Sequence, residues 1–210
     1  MHLLPLLFLL LTTPIVDHPG PRPDVPVVIG LHGRGDTPEN FSHVADRLGP
    51  QFHWIFPRGP LQWKPGLEGT QWFDRQAPDG GHTALEDALK LLEKQVKLAG
   101  KKPVAIVGFS QGCMLALAYV TRHPQQVRGV LCVGGMLLET PHVPPGPHRT
   151  PILLVHGVND PLVPIQKARE ALKFLQEAHF PVKLLEHPGG HVIPPERASE
   201  LRAWLTGVLQ

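Results

Sequence analysis

The chain has little of what most specialised protein classes depend on. It holds 2 cysteines in 210 residues, too few for a disulfide-scaffolded fold or a zinc ribbon. Charge is sparse and balanced: 20 Lys and Arg against 18 Asp and Glu leave a net +2, scattered without a basic run, so the footprint of a nucleic-acid binder is missing. Neither G-x-G-x-x-G nor G-x-x-x-x-G-K occurs, which removes two common phosphate-cradling loops. The 13 histidines include no H-E-x-x-H or other metal-ligand spacing, and no metal or cofactor is expected. The apolar run from Leu3 to Leu11 is too short to cross a bilayer, so no stable membrane span is expected.

What is present points to a loop-rich globular protein. Proline and glycine number 25 and 21, high but short of a disordered composition. The length suits one domain with a sizeable core. Residues 1–26 read as an apolar segment followed by a Pro-rich linker or surface loop from Asp17 to Pro26, and residues 27–210 as the domain itself. The Leu-rich start has signal-peptide length and, read as a signal peptide, implies export to a periplasmic or extracellular space, although it lacks a basic flank and a clear cleavage site; the other reading is an apolar edge strand of a cytoplasmic protein.

Short β-branched runs alternate with helical periods along the rest of the chain. Val27 to Leu31, Phe52 to Phe56, Val104 to Val107, Val127 to Val133, Pro151 to Val155 and Val182 to Glu186 read as strands. Pro38 to Leu48, His82 to Ala99, Met114 to Val120, Ile165 to Ala178 and Pro195 to Val208 read as helices. This alternation predicts a mostly parallel sheet with helices on both faces. Thr37 is placed to cap the first helix and Pro38 to open it. Arg58 to Gly81 forms a long aromatic-bearing loop, and Gly134 to Thr150 a Pro-rich excursion expected to be a lid or rim.

The chemistry centres on Gly108-Phe109-Ser110-Gln111-Gly112. This is G-x-S-x-G between a strand and a helix, the context in which a serine is held on a strained turn with its hydroxyl projecting. A serine needs a base, and the base needs a group that fixes its tautomer. In the chain order Ser, Asp, His, the fitting partners are Asp160, in the loop after one late strand, and His191, in the loop after the next. His187 competes with His191; Gly189 and Gly190 free His191 from the strand end, whereas His187 follows Glu186 directly. The amides of Gln111 and of Arg34, in the Gly-rich loop His32 to Asp36, are placed to form an oxyanion hole. Arg34-Gly35-Asp36 also spells an adhesion tripeptide, which its loop position already explains. Cys113 and Cys132 fall on the serine helix and the next strand, where small buried free thiols are expected.

Taken together, His32-Gly-x-Gly-Asp36, Trp72-Phe-Asp74, Gly108-Phe-Ser-Gln-Gly112, His156-Gly-x-x-Asp160-Pro-Leu-Val-Pro164 and Gly190-His191 resemble the phospholipase/carboxylesterase branch of the α/β-hydrolase superfamily, which includes the acyl-protein thioesterases. The resemblance implies an α/β-hydrolase fold, a Ser110, Asp160, His191 triad, Arg34 and Gln111 amides as oxyanion donors, and cofactor-free hydrolysis of ester or thioester bonds. It places Trp72 and Phe73 at the family's aromatic block, lining the acyl side of the pocket or packing in the core. The expected activity is that of a serine esterase on small or acyl substrates. Acyl-thioesterase and lysophospholipase are alternatives with the same triad, and a non-catalytic binding protein on the same scaffold is the rival from another class.

Overall fold

The computed structural model describes residues 15–138, 141, 143–146 and 150–210. Along the chain come β1 (Ile15–His18), β2 (Val27–Leu31), α1 (Pro38–Phe41), α2 (Val44–Leu48), β3 (His53–Pro57), β4 (Leu61–Gln62), β5 (Thr70–Gln71), α3 (His82–Leu98), β6 (Val104–Phe109), α4 (Gln111–Arg122), β7 (Gly129–Val133), β8 (Ile152–Gly157), α5 (Ile165–Glu177), β9 (Val182–His187), a 3-10 turn (Pro195–Arg197) and α6 (Ala198–Leu209). Among the described residues, seven strands pair in the order β1-β3-β2-β6-β7-β8-β9. β1 is antiparallel to β3; every other pairing in that sheet is parallel. β4 and β5 form a separate antiparallel pair.

The central strands are apolar throughout because both of their faces are covered. Val27, Ile29 and Leu31 of β2, Ile106 of β6, Val130 of β7 and Ile152 of β8 point to one side, where α3, α4 and α5 pack. Val28, Ala105, Val107, Leu131, Val133 and Leu153 alternate to the other, under α1, α2 and α6. A side-chain period of two thus sorts one continuous apolar run into two cores.

Thr37 caps α1, its side chain accepting from the Asn40 N–H, with Pro38 at the helix start. The single helix expected from Pro38 to Leu48 is instead broken: α1 ends at Phe41, and α2 begins after His43 without a side-chain cap. Phe41, Val44, Ala45 and Leu48 are all buried, so core contact took precedence over helical continuity. The Asp17 to Pro26 stretch is not linker or loop throughout, since Asp17 and His18 pair with Ile55 and Trp54 as part of β1. The Leu3 to Leu11 run lies outside the described residues. No described helix is long and apolar enough to cross a membrane.

The two cysteines correct the expectation of free thiols. Cys113, in the first turn of α4, is bonded to Cys132 of β7, with Cα atoms 4.7 Å apart. They were legible as buried, but their separation of 19 residues carries no scaffold pattern; the pairing arises from α4 lying across β7.

Candidate active site

Ser110 sits where β6 turns into α4, at φ 52° and ψ −116°, a region that non-glycine residues enter only when their surroundings force it. Its N–H donates to the Val133 carbonyl at 2.8 Å, and its carbonyl accepts from Met114 at 3.1 Å to begin the helix. The neighbouring glycines explain how the turn closes. A Cβ on Gly108 would lie 2.5 Å from the Gly112 carbonyl oxygen, and one on Gly112 would strike the carbonyl of Leu31 on the adjacent strand.

Asp160 lies in the loop after β8 and His191 in the loop after β9. His191 Nδ1 stands 2.6 Å from Asp160 Oδ2, and the carboxylate is fully buried. The other oxygen, Oδ1, accepts from the N–H groups of Leu162 and Val163 at 2.8 and 2.9 Å. Burial works to raise the Asp160 pKa, but the hydrogen bonds from Val163, His191 and Leu162 outweigh it and hold the carboxyl below its ordinary value. The imidazole of His191 packs on Phe109, the residue before Ser110, with centroids 4.9 Å apart. It also borders Gly134, where an added Cβ would come within 3.2 Å of Cε1.

The two competing histidines separate cleanly. His187 is buried; its Nδ1 accepts from the Gly189 N–H at 3.2 Å, and among the described residues its Nε2 has no hydrogen-bond partner. Sequence reasoning gave no separate role to His156. It is buried beneath the carboxylate, with Nε2 bonded to the Val163 carbonyl at 2.8 Å and 3.5 Å from Asp160 Oδ2.

Arg34 occupies a tight turn closed by the Asp36 N–H on the Gly33 carbonyl, and Gly35 donates to Thr70. Gly33 lies close enough to the elbow that a Cβ there would be 3.4 Å from the Ser110 Cβ. The Arg34 side chain is exposed. Gln111 opens α4, so its amide is one of the first-turn N–H groups that have no intrahelical acceptor.

The Gln111 side chain has a role the sequence did not suggest. Its Oε1 accepts from the Trp72 N–H at 2.8 Å, and its Nε2 donates to the Phe73 carbonyl at 2.7 Å. Trp72 donates its indole N–H to the His32 carbonyl at 2.9 Å. The His32 ring is fully buried. Its Nδ1 bonds the Gly33 carbonyl at 2.7 Å, and its Nε2 accepts from the Gly59 N–H at 3.2 Å, which makes it a neutral imidazole.

Trp72 and Phe73 therefore part company. Phe73 borders a cavity of about 640 Å³ whose apolar wall includes Leu85, Ala118, Leu137 and Leu138, with Arg75 and Arg122 at its polar side. The placement of Leu137, Leu138, Pro141 and Pro144 along it fits the expected rim. Trp72 is absent from that wall: its ring is wholly inside the core, held there by the bond to His32, so it packs rather than lines. Among the described residues no group of three or more His, Cys, Asp or Glu could hold a metal ion.

A strained serine at the carboxyl end of a central parallel strand, in a sheet of this order, defines the α/β-hydrolase class. The fold superposes on a carboxylesterase from Bacillus cereus with a TM-score of 0.81, covering 94% of this chain and 95% of that one at 18% identity. The sequence matches the phospholipase/carboxylesterase family over residues 14–208, and the chain belongs to that family. It is 30% identical to a probable carboxylesterase of Oryza sativa subsp. japonica over 207 residues, which cover 87% of this chain and 77% of the relative. It is 28% identical to acyl-protein thioesterase 1 of Schizosaccharomyces pombe over 179 residues, 77% of this chain and 80% of that protein. The protein is a carboxylic ester hydrolase.

Proposed function

We propose that the protein is a serine esterase acting through Ser110, His191 and Asp160 by way of an acyl-enzyme. Ser110 Oγ attacks the ester carbonyl carbon while His191 takes its proton. The tetrahedral oxyanion is met by the N–H groups of Gln111 and Arg34. As the C–O bond breaks, His191 returns the proton to the departing alcohol. Water then attacks the acyl-enzyme with His191 again as base, releasing the acid and restoring Ser110. Asp160 holds the imidazole in the tautomer that presents Nε2 and stabilises the imidazolium.

The observation that carries this reading is the 2.6 Å contact between His191 Nδ1 and a buried Asp160 carboxylate, with the ring packed at a tilt against the residue before a strained serine. The test is labelling by a fluorophosphonate and turnover of short p-nitrophenyl esters. Ser110→Ala should abolish labelling and lower kcat by about three or more orders of magnitude; wild-type turnover in that variant refutes the assignment.

Acyl-thioester hydrolysis by the same residues is a second reading, supported by the relative named an acyl-protein thioesterase. A profile of kcat/KM across acyl lengths with matched oxygen esters, thioesters and lysophospholipids decides between them. We further propose that the Phe73 cavity receives part of the substrate.

A further inference from the structure

We infer that Gln111, Trp72 and His32 form a buried brace that sets the distance between the amides of Arg34 and Gln111, which makes all three positioning residues for the oxyanion hole. The inference rests on the proposed function and adds to it a role for three side chains that do not face the substrate.

The two amides come from elements far apart in the sequence. One is in the loop after β2 and the other at the start of α4. Main-chain pairing of β2 with β6 ends at Leu31 opposite Gly108, before either amide is reached. Beyond that point, side chains carry the connection. From α4, the Gln111 carboxamide grips the 72–73 backbone with both of its ends. From that backbone, the Trp72 indole reaches the His32 carbonyl, one peptide unit before Gly33. The imidazole of His32 then fixes the Gly33 carbonyl through Nδ1, while Nε2 is held by Gly59 and lies 3.3 Å from Thr70 Oγ1. Thr70 in turn accepts the Gly35 N–H through its own carbonyl. The Arg34 peptide is thereby restrained on both sides. His32, Trp72 and Gln111 are all buried, so water cannot substitute for a lost partner and the brace transmits small displacements.

A donor aimed at developing charge acts only if it is in place before the charge forms, and an error of about 1 Å in such a position costs on the order of a hundredfold in rate. A brace of this kind changes the rate of the chemical step without altering contacts to the ground-state ester.

Trp72→Phe removes the indole N–H while keeping an aromatic ring. Gln111→Glu keeps the acceptor for the Trp72 N–H but replaces the donor to Phe73 with an oxygen. Each is assayed with p-nitrophenyl butyrate, with kcat expressed per serine titrated by fluorophosphonate so that unfolded molecules do not enter. Inhibition by an alkyl trifluoromethyl ketone, which forms a tetrahedral adduct on the serine, is measured alongside. The expected result for both variants is a kcat lower by about 10- to 100-fold, a KM within about twofold of wild type, and ketone affinity reduced in step with kcat/KM. The inference is overturned if kcat and ketone affinity stay within about twofold of wild type, or if KM rises at constant kcat, which would return Trp72 to the substrate pocket. If Ser110→Ala itself retains turnover, the proposed function fails instead. If Ser110→Ala is inert and both brace variants behave as wild type, only the brace fails.

Discussion

Asp160 Oδ2 faces His191 Nδ1 at 2.6 Å, while Oδ1 of the same carboxylate holds the N–H groups of Leu162 and Val163. One oxygen orients the proposed base and the other secures the loop that carries the acid. This division lets the two roles be separated by mutation. In Asp160→Asn the amide oxygen can keep both loop bonds while the amino group meets His191, favouring the tautomer that presents the wrong nitrogen to Ser110. Turnover should fall by about 10³ to 10⁴ on triad precedent, with little change in Tm. A variant retaining more than about a tenth of wild-type kcat would remove Asp160 from the mechanism.

The elbow's dependence on missing side chains gives a paired stability test. In Gly112→Ala the new methyl strikes the carbonyl of Leu31, main chain that cannot rotate aside. We expect a loss of about 1–3 kcal/mol and a fall in kcat as the Ser110 turn is pushed open. A Cβ on Gly207 of α6 would meet nothing within 4 Å among the described residues, so Gly207→Ala should gain about 0.5–1 kcal/mol from helix propensity alone. Urea unfolding of both variants checks the opposite signs.

The fold was readable because the signal was strong and local: apolar runs of strand length in β2, β6, β7 and β8, bounded by turn residues, dictate a sheet covered on both faces. Ser110, Asp160 and His191 stand out in the sequence as candidates because G-x-S-x-G singles out one of them and chain order suggests the others. The break between α1 and α2 was not, because burial of Phe41 and Val44 competes with helical continuity in a way that periodicity does not register. The brace was invisible for a different reason. Gln111, Trp72 and His32 are about 40 residues apart along the chain (separations of 39 and 40 for the two linking bonds), and no local pattern announces a glutamine that bonds two backbone groups. A buried polar residue beside the nucleophile, in a helix otherwise apolar over its first turns, was the one available hint.

The bond between Cys113 and Cys132 is checked by counting thiols. The protein unfolded in guanidinium without reductant should show none, and two after reduction. Closing a loop of this length stabilises the fold by about 3 kcal/mol in the chain-entropy treatment, so the double variant Cys113→Ala/Cys132→Ala should unfold at correspondingly lower denaturant. Because Cys113 is three residues after Ser110, kcat is expected to fall with it. Two thiols in the unreduced chain would restore the reading of a pair of free buried cysteines.

Two histidines tie stability to pH chiefly through burial. His32 and His187 are both held below the ordinary value of 6.5, chiefly because burial disfavours their charged forms. In the unfolded chain they titrate near that ordinary value. Above about pH 6.5 both states are neutral at these sites and the full stability is present. As pH falls below it, the unfolded chain binds protons that the folded chain declines, so stability drops at up to about 1.4 kcal/mol per pH unit for each group. The loss continues until the folded-state values are passed. His187 isolates this effect, because among the described residues its Nε2 has no hydrogen-bond partner, while Nδ1 accepts a bond from Gly189. In His187→Gln the decline in Tm between pH 7 and pH 5 should be shallower than in wild type. A wild-type Tm that is flat or rises over that interval contradicts the assignment of these two side chains as neutral and buried.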